Sequence, residues 1–76
     1  MSTFKITLEA ARVNARLTQK DAAKLIGVTP QTLVNWEKGY SSPAIEKALK
    51  LSDVYGVSID NLIFFNQQSN EIEHTI

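Results

Sequence analysis

Residues 17–40 read LTQKDAAKLIGVTPQTLVNWEKGY, and the rest of the chain is organised around them. Thr18 starts a helix, because its hydroxyl can accept a hydrogen bond from a first-turn N–H that has no other partner. Asp21, three residues on, makes a variant capping box with a short acid in the place of Glu. Ala22, Ala23 and Ile26 form the apolar face of that helix, and the small alanines let another helix approach closely. Gly27 follows the last helical residue, where a left-handed backbone costs little only for Gly. Thr29 then caps a second helix, and Pro30 takes its first position, where a missing N–H is harmless. That helix runs to about Lys38 and stops at Gly39. The stretch is two short helices joined by a tight turn.

The same signals recur outward. Thr7 is a cap, Glu9 complements the dipole of the first turn, and Leu8, Ala11, Arg12 and Ala15 recur at helical spacing, predicting a first helix near 8–16. Residues 1–6 read as a short arm. Ser42-Pro43 repeats the cap-plus-proline device and predicts a fourth helix near 43–55, with Ile45, Ala48, Leu51, Ser52 and Tyr55 on one face. Gly56 ends it. Ser58 caps a short fifth helix from 59 to about 64. The expected fold is all-α, with five helices in one domain over 1–65. The polar tail 66–76 holds Ile72 and Ile76, which could share a helical face or alternate in a strand; disorder is as open a reading, and a part in dimerisation is another.

On a helical wheel, Leu33, Trp36 and Glu37 fall on one side of the 29–38 helix, and Gln31, Asn35 and Lys38 on the other, with Val34 at its edge. The large apolar side faces the core, which leaves the amides to solvent or to DNA. Gln and Asn amides pair bidentately with adenine N6 and N7 in the major groove. Gln31 lies in the first turn, the part of such a helix that reaches base edges, and Asn35 lies one turn on. Val34 suits a thymine methyl, Thr32 the flank, and Lys38 a phosphate. Gln19 and Lys20 sit in a first turn whose free N–H groups favour an anion. Tyr40, Ser41 and Ser42 form a loop whose hydroxyls and N–H groups suit a sugar–phosphate backbone. The plainer alternatives are that the amides are ordinary solvent-facing residues, that Ser42 only caps a helix and that Tyr40 only covers the core.

Arg12 and Glu37 each interrupt an otherwise apolar face. A lone buried charge is expensive and a paired one much less so, so the two are expected to pair and to link the first helix to the 29–38 helix.

The 76 residues carry no net charge, which weighs mildly against nucleic acid, but the charges are segregated. All eight Lys and Arg lie in 1–50 against four acids, giving +4, whereas 51–76 has four acids and no Lys or Arg, giving −4. Such a chain can offer a basic face to phosphates and keep an acidic end in water. There is no Cys, hence no disulfide framework and no thiolate metal site, and no apolar run approaches the roughly 18 residues of a membrane span. No signal peptide is visible at the N-terminus. The single His, His74, stands in the tail without a paired-acid motif or a glycine-rich phosphate loop, so catalysis is not expected, nor any cofactor, metal, membrane or small-molecule ligand.

The segment TQKDAAKLIGVTPQTLVNWEKG resembles the repressor and Cro-like (XRE-type) helix-turn-helix family of phages and bacteria. The TQ opening, the Ala-Ala pair, the GV turn followed by a capping Thr, and the WEKG ending carry the resemblance. Pro43 and YGVSIDNL extend it over about residues 5–65. It implies a compact five-helix repressor-like domain that binds a double-stranded operator, usually a palindrome, as a homodimer. It implies phosphate contact at Gln19, which with Thr18, Lys20, Lys38, Tyr40 and Ser41 makes the candidate backbone set. It implies base contact at Pro30, Gln31, Thr32 and Asn35, to which Val34 is added. It implies the Arg12–Glu37 pairing too. The sequence departs from the family at Ala22, where Leu is usual, and at Pro30, which can offer a base only its ring. The chain ends soon after this domain, which leaves no room for an effector domain, so a small cytoplasmic Cro-like regulator of a phage or mobile element is expected. Dimer contacts are expected at Ile63, Phe64 and Phe65, unless those phenylalanines fold back on their own core. The competing expectation is a protein-interaction module of the same fold, such as an antitoxin-like partner.

Overall fold

The computed structural model describes residues 4–64. Its order is β1 (Ile6–Thr7), α1 (Leu8–Asn14), α2 (Gln19–Ile26), α3 (Pro30–Lys38), α4 (Ile45–Tyr55), a single 3-10 turn (Ile59–Asn61) and β2 (Leu62–Ile63). The caps at the first three helices are those the sequence announces. The Thr7, Thr18 and Thr29 hydroxyls accept from the N–H groups of Ala10, Asp21 and Thr32 at 3.1, 3.0 and 3.2 Å. Gly27 closes α2 with φ 92°, a left-handed geometry that a Cβ would strain.

Two expectations are corrected. There are four α-helices, not five, among the described residues. After Ser58 the chain makes one 3-10 turn, and Leu62 is already extended at φ −86°, ψ 138°. Leu62 and Ile63 instead pair in parallel with Ile6 and Thr7, so the 1–6 arm ends as a strand and the fold is mostly rather than wholly helical. In the apolar run that follows Asn61, the β-branched Ile63 and the aromatic Phe64 fit a strand better than a helix. Two side-chain bonds staple the same seam: Lys5 Nζ donates to the Asp60 carbonyl at 3.0 Å, and Asn61 Nδ2 to the Phe4 carbonyl at 2.8 Å.

The second correction concerns Ser42-Pro43. The fourth helix begins at Ile45 behind an extended Ala44 (φ −67°, ψ 162°) and has no side-chain cap. A proline's fixed φ serves an extended loop as well as a first helical turn, and here it serves the loop.

The core lies where the helices meet. Leu8, Ala11, Ala22, Ala23, Ile26, Leu33, Trp36, Leu51, Tyr55 and Leu62 form one buried cluster, in which Ala22 and Ala23 are covered by their neighbours with no larger side chain needed. The short side chains set α2 close to α3, which holds α3 with one face sealed and the other free.

Candidate nucleic-acid interface

The free face of α3 follows from its sealed one. Leu33, Trp36 and Glu37 are buried, while Gln31 and Lys38 are exposed and Thr32, Val34 and Asn35 are half-buried. The structure brings the two amides together: Gln31 Nε2 donates to Asn35 Oδ1 at 3.1 Å. The Thr32 hydroxyl lies 2.9 Å from the Thr29 hydroxyl, so it leans on the cap at the start of the helix. Pro30 presents its ring at the exposed first position.

Beside α3, Thr18 and Lys20 are exposed at the start of α2. The N–H groups of Gln19 and Lys20 precede any acceptor four residues back in their helix, so they remain free for an anion. The Gln19 side chain is not free in the same way, because its Nε2 donates to Glu37 Oε1 at 3.0 Å. Glu37 is therefore shared. Arg12 Nε donates to Glu37 Oε2 at 2.7 Å, Arg12 Nη2 to Oε1 at 3.4 Å, and Arg12 Nη1 to the Leu17 carbonyl at 2.9 Å. The hydrogen bond it donates to Glu37 holds the Arg12 guanidinium above its ordinary pKa against the opposing effect of burial. This cluster ties α1, the α1–α2 corner, α2 and α3 into one frame. Its link to Gln19 has no signal in the sequence, where an amide at the first position of a helix reads as solvent-facing.

Tyr55 extends the cluster. Its hydroxyl is buried and has no hydrogen-bond partner among the described residues. Burial, followed by the nearby Glu37 charge, pushes its pKa up to about 12.

On the far flank, Tyr40 and Ser41 are exposed, but their N–H groups are occupied: both converge on the Asn35 carbonyl, at 2.9 and 3.4 Å. Only their hydroxyls, with that of the exposed Ser42, are left for a phosphate. Away from α3, Ile63 is half-buried in β2 and Phe64 packs partly against the core, while Phe65 lies outside the described residues. Phe64 lines an open groove of about 470 Å³ with Lys5, Pro43, Ile45, Ile59 and Leu62. Ile45 and Leu49, one turn apart on α4, are 68% and 54% exposed. Helical spacing put Ile45 on one face with Ala48, Leu51, Ser52 and Tyr55; at the first position of α4 it stands instead at the rim of the groove. Leu49 was not singled out by the sequence, although a Leu on the polar side of a helix is itself a signal.

Among the described residues, no group of His, Cys, Asp and Glu is arranged to hold a metal ion, and no helix is long and apolar enough to cross a membrane.

Comparison with known proteins agrees with this geometry. A family model described as helix-turn-helix matches residues 8–62. The chain is 38% identical over 66 residues to the HTH-type transcriptional regulator ImmR of Bacillus subtilis, covering 87% of this chain and 52% of ImmR. It is 36% identical over 62 residues to an uncharacterized HTH-type transcriptional regulator of Methanocaldococcus jannaschii, covering 82% of this chain and 94% of that protein. It is 38% identical over 60 residues to the cryptic phage CTXphi transcriptional repressor RstR of Vibrio cholerae, covering 79% of this chain and 54% of RstR. The chain thus spans about half the length of ImmR and RstR and nearly all of the archaeal protein. No solved structure gives a significant match. With the family model spanning all four helices, the chain belongs to the XRE-type helix-turn-helix family.

Proposed function

We propose that this protein is a sequence-specific double-stranded DNA-binding transcriptional regulator, acting as a repressor by occupying its operator in the cytoplasm. The observation that carries the reading is the free face of α3: two hydrogen-bonded amides and a terminal lysine on a helix whose other face is sealed by Leu33 and Trp36. Helix α3 enters the major groove, with Gln31 and Asn35 on base edges, Val34 and the Pro30 ring in apolar contact, and Thr32 at the flank. Lys38, Lys20, Thr18 and the Tyr40 and Ser41 hydroxyls hold phosphates, as do the first-turn N–H groups of Gln19 and Lys20. The names of ImmR and RstR as regulator and repressor support the same assignment.

The protein binds as a homodimer on a palindrome. Support comes from the exposed Ile45 and Leu49 beside the groove lined by Phe64, which together leave apolar surface for a second copy. Ile63 and Phe65 flank Phe64 in the chain and belong to the same proposed contact.

Selection of bound duplexes from a random library tests the proposal. It predicts enrichment of a two-fold motif with half-sites about 34 Å apart. Failure of the folded protein to enrich any duplex would refute it.

A further inference from the structure

We infer that Arg16 is a DNA phosphate ligand, held at the corner between α1 and α2 at a cost to the stability of the fold. The inference rests on the proposed DNA-binding reading and goes further by adding a contact that none of the residues assigned above supplies.

Four of the described residues have a left-handed backbone. Three are glycines, Gly27, Gly39 and Gly56, each closing a helix. The fourth is Arg16, at φ 63°, just past the end of α1. The corner itself demands this geometry. The Arg16 N–H donates to the Val13 carbonyl at 2.9 Å and the Leu17 N–H to the Arg12 carbonyl at 3.2 Å. These are the paired bonds of a helix end whose left-handed position glycine fills with least strain. Arg12 Nη1 then fixes the corner by donating to the Leu17 carbonyl at 2.9 Å. None of these bonds uses the Arg16 side chain, and a Cβ on left-handed backbone is disfavoured.

Nothing in the fold offsets that strain. Arg16 is exposed, its side chain makes no hydrogen bond among the described residues, and the one ion pair there is Arg12–Glu37. Strain that the fold does not use points to a partner outside it. The corner lies where such a partner is proposed. Thr18 is two residues on, at most about 7 Å along the chain, and it caps the α2 turn whose free N–H groups and Lys20 are assigned to phosphate. The corner is also tied to α3, because Arg12 and Gln19 both donate to Glu37. Seating α3 in the major groove therefore carries Arg16 to the flanking strand with it. A guanidinium presents a planar fork that matches two phosphate oxygens at once, so Arg16 adds affinity without reading sequence.

The test compares the wild type with Arg16→Gly, Arg16→Gln and Arg16→Lys in thermal melts and in salt titrations. The titrations use the duplex most enriched by selection and a scrambled duplex of the same length. Arg16→Gly is expected to melt about 2–4 °C higher, the left-handed strain relieved less the added freedom of an unfolded glycine. The same variant is expected to bind both duplexes more weakly. Its slope of log K against log[salt] falls by about 0.9 for each copy bound, which at 0.1 M salt is about eightfold per contact. Arg16→Gln is expected to melt as the wild type does and to show the same binding loss, and Arg16→Lys to recover most of the slope. The inference is overturned if Arg16→Gly melts no higher than the wild type, or if it binds with unchanged affinity and slope. A loss confined to the selected duplex, or Arg16→Lys no better than Arg16→Gln, overturns it as well. The DNA-binding reading survives each of these results; a folded wild type that binds neither duplex overturns both.

Discussion

At the scale of single residues, the Arg12–Glu37 pair decides most. Each charge is buried, and each is satisfied by the other, with Leu17 and Gln19 taking up the remaining capacity. Glu37→Ala leaves Arg12 uncompensated and is expected to lower stability by about 3–5 kcal/mol, read as a shift in urea unfolding. Replacing both residues by apolar side chains of similar volume is expected to restore most of that loss, because the cost lies in the widowed charge rather than in the missing bond. Equal losses in the single and double variants would show that the pair itself is the stabilising element. The unpartnered Tyr55 hydroxyl gives a second prediction. Its folded pKa of about 12 lies above the ordinary 10, so the neutral form is the one the fold favours. That stability is present in full below pH 10 and is lost as pH rises from 10 through 12, by about 3 kcal/mol at most. Tyr55→Phe is expected to be near neutral in stability at pH 7, since it removes a polar group with no partner, and to flatten the alkaline decline. An unchanged alkaline decline in Tyr55→Phe would place the titrating group elsewhere.

At the scale of elements, the turn between α2 and α3 fixes how the free face of α3 is presented. Gly27 sits at φ 92°, and a Cβ there would find its nearest neighbour, Lys47 Nζ, at an ordinary 3.7 Å. Gly27→Ala is therefore expected to cost about 1–2 kcal/mol from backbone strain alone, with Gly27→Asn costing less; a calorimetric melt that shows Ala and Asn equal would point to crowding instead. This turn and the three threonine caps were legible in the sequence because each rests on local chemistry: one hydroxyl, one N–H, one glycine. The elements that were misread depend on partners far along the chain. The 59–64 segment has a helix cap in Ser58, yet it leaves the helix after one turn because Leu62 and Ile63 find Ile6 and Thr7. Ser42-Pro43 carries the local signs of a helix start, but Pro43 lines the groove beside Ile45 and the helix begins two residues later. The α1–α2 corner gives no sign at all: Arg16 adopts φ 63° with no glycine to announce it. In the candidate site, the wheel separated the two faces of α3 from periodicity alone. The links from Gln31 to Asn35 and from Gln19 to Glu37 depend on side-chain rotamers, which no spacing specifies.

At the scale of the whole molecule, the cations gather in the first 50 residues, and two exposed apolar residues, Ile45 and Leu49, stand among them on α4. Leu49→Glu is expected to change monomer stability by no more than about 0.5 kcal/mol, since the side chain is largely in water. It is expected to weaken binding to a full palindrome while leaving a single half-site unaffected, measured by titration of both duplexes; equal weakening on both would remove α4 from the dimer contact. The central claim is that α3 reads bases from the major groove. The measurement that meets it most directly is the affinity for the selected operator after each purine is replaced, one at a time, by its 7-deaza analogue, which removes only the N7 acceptor on the major-groove edge. The account predicts a loss of about fivefold or more at the purines facing Gln31 and Asn35 and little change elsewhere. Affinity that is unchanged at every substituted purine would contradict it.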